Sequence, residues 1–458
     1  MHLTTGFPHR SGKKPSLAFF LLFTPRKPCR FPGAVIAASC GGRLAPQSVT
    51  CNSSLRHVGW SILAIVVACL AATAAADDAA AIAGDAAAAA AARTVALGGT
   101  VSHDADGNVT GIAIPDGGGL TADDLALFGE LPELSSLKIL NCRALDDELI
   151  DALGDRAPLD TLAMTNSAIT DTGVAALAKA FPQLEELDLS SNTNLTGAAM
   201  RSIASLEKLQ RLSLVQTRFN DLHTRRLKSL ENLEVLDLRG NMEAGDMTLG
   251  VVGGLPKLRA FKHRSTIVTD DGIARLAASE NLAALLLQDF AITSAAGPHL
   301  AGCKKLASLE IFRCQGFGSP GVLALADLPL TRLTLRDLPQ VGDDALAVLA
   351  QLPKLKRLAL HELASVGDTG LAQLAAAENL QALDLWALPL VTDGSAAVIA
   401  ALPALEEISI RETGITDAGM ATILANEKLH SLTFRGDLSA ITLVKISARK
   451  WKKLDIAR

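Results

Sequence analysis

The chain has 458 residues, of which 49% are hydrophobic and 20% are charged, a globular composition that excludes disorder for the chain as a whole. Its 43 basic and 48 acidic residues give a formal net charge of −5. The charge is unevenly distributed, because residues 1–76 contain eight basic residues and no acid, which leaves −13 for residues 77–458. The acidic body and the 3% aromatic content, with no tyrosine, argue against nucleic-acid binding.

An uncharged segment, residues 59–76, follows Arg56 and ends in three alanines. A positive flank, an apolar run and a small-residue exit predict a cleaved signal peptide within residues 55–76, and hence export to the periplasm, the cell envelope or the medium. Two alternatives stay open: a retained membrane anchor, since the run is just long enough to span a bilayer, and a lipoprotein carrying its lipid on Cys69. We expect membrane contact only through this segment or through lipid on that cysteine.

The sequence predicts no folded domain in the segments before and after the signal. Residues 1–54 are basic and free of acids, and we interpret them as the product of a start site placed too far upstream, with an organelle presequence as the alternative. Residues 77–93 are rich in alanine and predict a linker between the signal and the body.

Residues 94–133 predict an N-terminal cap. Two extended runs flank a turn at residues 104–108, and a helix is expected from about Thr121. The acids of this turn alternate as in a calcium loop, but the glycine and the glutamate that such a loop needs are missing, so we predict a turn. Ile112 and Ile114 stand where strand residues of a repeat would lie.

The body is one repeat written thirteen times over residues 134–453, followed by a truncated copy at residues 454–458. The pattern is L-x-x-L-x-L, with occasional substitutes, and it recurs at intervals of 24 or 25 residues. Such regularity predicts a solenoid, in which each unit buries its core against its neighbours. The first leucine of each copy falls at residues 134, 159, 184, 209, 233, 258, 282, 306, 330, 355, 380, 405, 429 and 454.

Each repeat predicts a strand, a loop and a helix. Leucines at the fourth and sixth positions lie on one side of a short strand because strand side chains alternate. A Thr-Asp pair follows, for example Thr170–Asp171 and Thr416–Asp417, and these side chains are expected to accept the free N–H groups of a helix start. The run at residues 174–181 then has helical spacing and ends before Pro182.

These repeats resemble the leucine-rich repeat family over about residues 134–458. The phrases ITDTGVAALA from Ile169 and ITDAGMATILA from Ile415 resemble its cysteine-containing and related bacterial subtypes. The resemblance implies an α/β fold, a right-handed horseshoe (solenoid) with parallel strands on the concave face and helices on the convex face. It also implies a binding module for a partner protein. The ninth position lacks a continuous run of asparagine, which leaves the subtype open.

The sequence offers no catalytic machinery. No His, Cys and acid cluster has ligand spacing and no nucleophile elbow is present, so we expect no catalytic residue, no metal, no cofactor and no enzyme activity. The motif G-x-G-x-x-G at residues 316–321 falls in a strand-to-helix loop, so we interpret it as part of the repeat. We expect Cys142, Cys303 and Cys314 to be buried free thiols, and His263 to be a core histidine bonded to the backbone.

The basic stretch from Lys445 to the end predicts a charged C-terminal cap. A site for anionic lipid or for an acidic partner is the alternative.

The sharpest prediction concerns the position after the sixth, which faces the concave surface. Its residues are small or apolar in the first four repeats and mostly cationic or aromatic later. Trp386 is the only tryptophan between the signal and the C-terminal cap, and a tryptophan among arginines is typical of interface hot spots. We therefore predict a site for an unidentified protein partner, with an architectural role lacking one tight ligand as the alternative. Its predicted residues are Phe312, Arg313, Arg336, His361, Glu362, Trp386, Arg411 and Arg435.

Overall fold

The computed structural model describes residues 85–457. The predictions for the N-terminal extension (1–54), for the signal peptide or anchor (55–76) and for lipid on Cys69 lie outside the described residues.

The described part of the Ala-rich segment is a helix, α1, over residues 85–96. Ala90 is fully buried, and Arg93 Nε donates a hydrogen bond of 2.7 Å to Asp124 in the N-terminal cap. The sequence predicted a linker here, and for residues 85–93 the structure shows a packed helix instead. Alanine has the highest helix propensity of all residues, and the cap supplies the packing surface that the sequence alone did not reveal.

The N-terminal cap is a β-hairpin followed by a helix. Strands β1 (Thr100–His103) and β2 (Val109–Ile114) pair antiparallel, and α2 (Ala122–Gly129) follows. In the turn, Asp104 Oδ1 accepts hydrogen bonds of 2.9 Å from the backbone N–H groups of Asp106 and Asn108, as a turn requires.

The cap continues the sheet of the repeats. Thr121 is the N-cap of α2, as predicted. Ile112 and Ile114 pair in register with Leu137 and Ile139 of the first repeat, so the hairpin closes the open end of the core.

Each repeat contributes one strand and one short helix. The strands are β3 (Ser136–Ile139), β4 (Thr161–Met164), β5 (Glu186–Asp188), β6 (Arg211–Ser213), β7 (Val235–Arg239), β8 (Ala260–Arg264), β9 (Ala284–Gln288), β10 (Ser308–Phe312), β11 (Arg332–Arg336), β12 (Arg357–His361), β13 (Ala382–Thr392), β14 (Glu407–Gly414), β15 (Ser431–Arg435) and β16 (Lys453–Ala457). The helices are α3 (Asp147–Leu153), α4 (Asp171–Ala180), α5 (Gly197–Ile203), α6 (Asp221–Thr224), α7 (Asp246–Gly253), α8 (Asp270–Leu276), α9 (Ala296–Leu300), α10 (Ser319–Leu323), α11 (Leu346–Gln351), α12 (Asp368–Gln373), α13 (Ala396–Ala401), α14 (Asp417–Ile423) and α15 (Ala440–Ser447). Short 3₁₀ turns adjoin four of these helices, at Arg225–Ser229, Asp343–Ala345, Leu374–Ala376 and Asp393–Ser395.

The sixteen strands form one sheet in chain order, parallel from β2 onward. Each leucine of one strand pairs with its equivalent in the next, as Leu333 does with Leu358. Leucines at the first, fourth and sixth positions of the thirteen repeats are buried between sheet and helices. The expectation that Leu454 holds the first position of a truncated copy is wrong, because Leu454 pairs with Leu432, a fourth-position residue, and is 43% exposed. The structure is therefore the α/β leucine-rich-repeat solenoid that the resemblance implied.

The Thr-Asp pairs join consecutive repeats. Thr416 caps its own helix, accepting from the N–H of Ala418 at 3.3 Å, as predicted. The aspartate acts differently: Asp393 Oδ1 accepts from the N–H groups of Thr416 and Gly419 in the next repeat, at 2.7 and 3.1 Å, and its Oδ2 accepts from Thr416 Oγ1 at 2.6 Å. The expectation that both side chains cap the helix they begin is thus wrong for the aspartate, which bonds to the helix start of the next repeat. We call this set of hydrogen bonds the aspartate clip.

Polar residues inside the core satisfy their bonds locally. Asn192 donates to the carbonyls of Met164 and Leu189 at 2.7 and 2.9 Å. His263 is fully buried, its ring nitrogens 3.0 and 2.8 Å from two backbone carbonyl oxygens, and burial lowers its pKa. The prediction of a core histidine is confirmed.

The three body cysteines are buried free thiols, as predicted. Burial raises the pKa of Cys303 to about 11 and that of Cys314 to about 12, so both stay protonated at neutral pH.

The glycine motif at residues 316–321 serves packing between repeats. A Cβ at Gly316 would lie 2.6 Å from the carbonyl oxygen of Ile292, and one at Gly321 would lie 2.6 Å from the ring of Phe317. The close approach accounts for glycine at both places without a nucleotide.

At the C-terminal end, Arg449 is a structural residue. Its guanidinium donates to the carbonyls of Asn426 and Glu427 at 2.8 and 2.7 Å and stacks on Trp451 at 4.9 Å. It therefore ties the cap to the last repeat.

The aspartate clip explains the glycine at the third residue of α14 and yields a prediction on stability. A Cβ at Gly419 would overlap Asp393 Oδ1, whereas one at Gly250 in α7 would have only the flexible side chain of Arg275 nearby, at 3.4 Å. We expect Gly419→Ala to lower the free energy of unfolding by about 1–3 kcal/mol, because overpacking and the displaced carboxylate outweigh the gain in helix propensity. Gly250→Ala, the matched control, should raise it by up to about 1 kcal/mol.

Urea unfolding followed by circular dichroism measures both effects. A Gly419→Ala midpoint equal to or above that of the wild type would show that the carboxylate does not need this space.

Candidate binding surface on the concave face

Each strand from β3 to β15 begins at the third position of its repeat. The third, fifth and seventh positions face away from the core and form the concave surface. In β11 to β15 the seventh residues pair in one column, which runs Arg336, His361, Trp386, Arg411 and Arg435. All five are half-buried. Fixed register thus brings together the residues that the sequence predicted, at one strand spacing from one another.

An arginine lies between two aromatic rings. The Cζ atom of Arg336 is 4.3 Å from the centre of the Phe312 ring and 4.7 Å from that of Trp386. Arg411 lies on Trp386 as well, at 5.1 Å. We call these four residues the aromatic–arginine ladder. Cation–π contacts of this kind hold each ring and each guanidinium in one orientation.

His361 lies beside the ladder. Its ring meets that of Trp386 edge to face, with the ring centres 5.6 Å apart and the planes at 71°. Its side chain is 13% exposed, so this imidazole packs below the surface rather than reaching into solvent.

Carboxylates pair with the ladder. Arg336 Nε donates to Glu362 at 2.8 Å, and Trp386 Nε1 donates to Glu412 at 3.0 Å. Arg411 Nη2 donates to both oxygens of Asp384 at 3.0 and 3.1 Å. The arginines are therefore not free cations, although the sequence shows them as a basic run.

The other two predicted residues are paired at the borders of this cluster. Arg313 donates to Asp289 at 3.0 Å and lies 4.3 Å from the Phe312 ring centre. Arg435 donates to Asp455 at 2.7 Å, and within the described residues no cation–π contact joins it to a ring of the ladder. It belongs to the same column but not to the same cluster.

Backbone conformation explains how the eighth position reaches the seventh. Arg313, Glu362 and Glu412 all have φ = 53°, in the left-handed region that non-glycine residues rarely adopt. The left-handed turn of the backbone directs Glu362 to Arg336 and Glu412 to Trp386, in each case across to the preceding repeat.

Asp384 is the central residue that sequence reasoning missed. It lies at the fifth position, between two buried leucines, and it binds His361 Nε2 at 3.0 Å as well as Arg411. Burial alone would raise the pKa of Asp384, but hydrogen bonds from His361, Ser409 and Arg411 outweigh it and lower the pKa to about 2. The alternation that placed the seventh position on this face would have placed the fifth there too.

A shallow depression of about 290 Å³ adjoins Asp384. Small side chains, among them Ala359, Ala382 and Ser409, form its floor. Arg357 spans it with a bidentate ion pair to Glu407, at 2.9 and 3.2 Å, which crosses above Ala382. The depression gives a partner side chain room beside the ladder.

The surface carries no recognisable reaction centre within residues 85–457. His361, Asp384 and Ser409 are neighbours, but Ser409 bonds to the carboxylate, whereas a serine nucleophile needs the ring. In the same residues no group of three His, Cys, Asp or Glu side chains is placed to hold a metal ion. No helix of this part of the chain has the length and apolar character to cross a bilayer.

No protein-family model and no curated protein sequence matches the chain. Solved structures do resemble it. The internalin InlF of Listeria monocytogenes matches with a TM-score of 0.49 and 20% identity, over 72% of this chain and 87% of that one. The yeast Rad7 and Elc1 complex matches with a TM-score of 0.43 and 19% identity, over 81% of this chain and 95% of that one. The mouse RP105/MD-1 complex matches with a TM-score of 0.44 and 17% identity, over 64% of this chain and 48% of that one. No activity or partner is carried over to this chain from likeness at this level.

The pairing of Asp384 predicts a pH dependence. Because its folded pKa is depressed, the carboxylate stabilises the fold above its ordinary pKa of 3.8 and loses that contribution as the pH falls towards 2. We expect the wild type to melt at a higher temperature than Asp384→Asn above about pH 4, and the difference to shrink between about pH 4 and 2.

Differential scanning calorimetry across this range measures the effect. Asp327→Asn is the control, at an exposed acid that makes no ion pair with any residue from 85 to 457, and it should show no such trend. A constant difference between wild type and Asp384→Asn from pH 5 to 2 would contradict the assignment.

Proposed function

We infer from the leucine-rich-repeat fold of this chain that it is an exported protein-interaction module, which recognises a partner protein on the concave face of its C-terminal half. The binding residues we propose are the ladder residues with Arg313, His361, Glu362 and Arg435. Export rests on the signal at residues 55–76, and we propose no catalytic activity.

The observation that carries this proposal is the fixed position of Trp386. Its ring is in contact with Arg336, Arg411 and His361, and its Nε1 is bonded to Glu412. A partner therefore meets an aromatic surface whose side-chain entropy is already lost, which lowers the cost of binding. Tryptophan and arginine are also the residues most enriched in interface hot spots.

The pairing of the arginines indicates what the partner presents. With each guanidinium already bound to a carboxylate, a strongly acidic partner would have to displace those carboxylates. An apolar or aromatic side chain packed on the Trp386 ring meets no such competition, and the depression beside Asp384, which Arg332, Arg357, Glu407 and Lys453 also line, offers polar contacts next to it. We therefore propose a partner that inserts an apolar residue beside Trp386, with polar contacts at the rim.

Variants of the ladder test the site. Wild type and Trp386→Ala serve as parallel baits in affinity capture with mass spectrometry, and the dissociation constant of each protein lost from the variant is then measured. We expect Trp386→Ala and Arg411→Ala to weaken that affinity by roughly 30-fold or more, the level of a hot spot.

Arg239→Ala is the matched control, because Arg239 holds the seventh position of the fifth repeat and is likewise paired, with Asp237 at 2.7 Å. It should leave the affinity within about threefold of wild type. If the Trp386 and Arg411 variants also stay within about threefold, the site is wrong, and an even, weak effect of all variants along the face would favour the architectural role.

A further inference from the structure

The convex face of the third to sixth repeats carries a second surface, with a chemistry opposite to that of the ladder. Five exposed cations lie there, and none makes an ion pair with any residue of the described range 85–457. We call them the convex basic patch: Arg201, Arg225, Arg226, Lys228 and Arg275.

Repeat geometry places these cations side by side. Arg201 and Arg225 each stand five residues after the N-cap of consecutive helices, α5 and α6. Arg226 and Arg275 hold the following position two repeats apart, with Val251 between them. Gly250 has no side chain, and the Arg275 side chain lies over it; a Cβ at Gly250 would be 3.4 Å from Arg275 Cδ.

Apolar side chains lie exposed beside the patch. Leu222 is 64% exposed and lines one depression of about 620 Å³ together with Arg225, Arg226 and Lys228. Met247 holds the same position of the next helix and is 41% exposed, and Ile267, 49% exposed, follows in the sixth repeat. Of these three side chains, Leu222 lines the patch itself, Met247 lies one repeat further along, and Ile267 lies beside Gly245, the N-cap of α7.

The acid of α6 does not neutralise these cations. Asp221, on the same helix as Leu222, accepts from the N–H groups of Gly245 and Thr248 at 2.8 and 2.9 Å, so it is the clip to the next repeat. Asp271 is exposed at the position that follows Leu222 and Met247 in the repeat order, and it marks the end of the apolar row.

We propose that the convex basic patch docks on an anionic lipid surface. Unpaired cations attract the negative headgroups, and Leu222, Met247 and Ile267 enter the interface between headgroups and acyl chains. An acidic protein partner would use the cations but would leave the three apolar side chains without a role. The solenoid would then lie with its helices on the membrane and its concave face turned away, free for a protein partner.

Vesicle binding of the full chain tests this proposal. Binding to neutral phosphatidylcholine vesicles measures any contribution of the apolar segment 59–76. Binding to vesicles that also contain phosphatidylglycerol measures the patch as well, and the ratio of the two affinities is the additional affinity due to the anionic lipid. At low salt we expect Arg225→Ser/Arg226→Ser/Lys228→Ser to reduce that additional affinity on the order of a hundredfold, from about fivefold for each cation. Leu222→Ser should weaken binding to the anionic vesicles several-fold without changing its salt dependence.

The matched control is Lys304→Ser/Lys354→Ser/Lys356→Ser, which removes the same charge from exposed lysines outside the patch. It should keep the additional affinity within about threefold, and circular dichroism checks that every variant is folded. Equal losses in both triple variants would overturn the proposal, as would a patch variant that binds like wild type. Binding of soluble polyglutamate but not of anionic vesicles would assign the patch to an acidic protein instead.

Discussion

The constraint on which the rest of this structure depends is the strand register. From β2 to β15 each strand pairs in parallel with the strand one repeat later, and the repeat length of 24 or 25 residues preserves the pairing of leucine with leucine. The last strand, β16, joins at a shorter interval of 22 residues, from Leu432 to Leu454. A shift by one residue would turn every buried leucine to solvent, so the register is strongly specified by the core. Its consequence is that surface side chains fall into columns one strand spacing apart.

The spacing of the columns explains why arginines and carboxylates of the ladder region pair with each other across neighbouring repeats. A carboxylate at the fifth or eighth position lies within reach of an arginine at the seventh position of a neighbouring repeat. Asp384 and Glu362 pair with Arg411 and Arg336 in this way. The same closeness places Arg336 between Phe312 and Trp386, although two strands, β11 and β12, lie between the two aromatic strands. Ordinary short strands thereby carry side chains that hold one another in place.

The periodicity of the sequence predicted the strands, the helices, the buried leucines and the seventh-position column, because all of these depend on spacing alone. Contacts between repeats depend on side-chain reach as well. Asp393 carries the same Thr-Asp signature as a helix cap, yet its carboxylate bonds to the next repeat. The helix at residues 85–96 was missed for a related reason: a run of alanines has no apolar stripe, and Ala90 becomes part of the core only because the cap lies against it. Strand alternation places Asp384 on the same face as Trp386, so its location could be predicted from the sequence. Its role could not, because an acid at the fifth position does not indicate a binding site until its partners are known.

Salt separates the two surfaces on physical grounds. On the concave face the charges are paired within about 3 Å and partly buried, so added ions change their interactions little, and a partner held by apolar contacts there keeps its affinity in salt. On the convex face the cations are exposed and unpaired, and their attraction to a charged surface is screened once the Debye length falls to about 8 Å near physiological ionic strength. One source of the difference is the helix α6, whose acid, Asp221, bonds to backbone N–H groups of the next repeat rather than to Arg225 or Arg226. The proposed concave site and the proposed convex patch should therefore differ in salt dependence, because Asp384 and Glu362 pair with neighbouring arginines whereas Asp221 pairs with the neighbouring backbone.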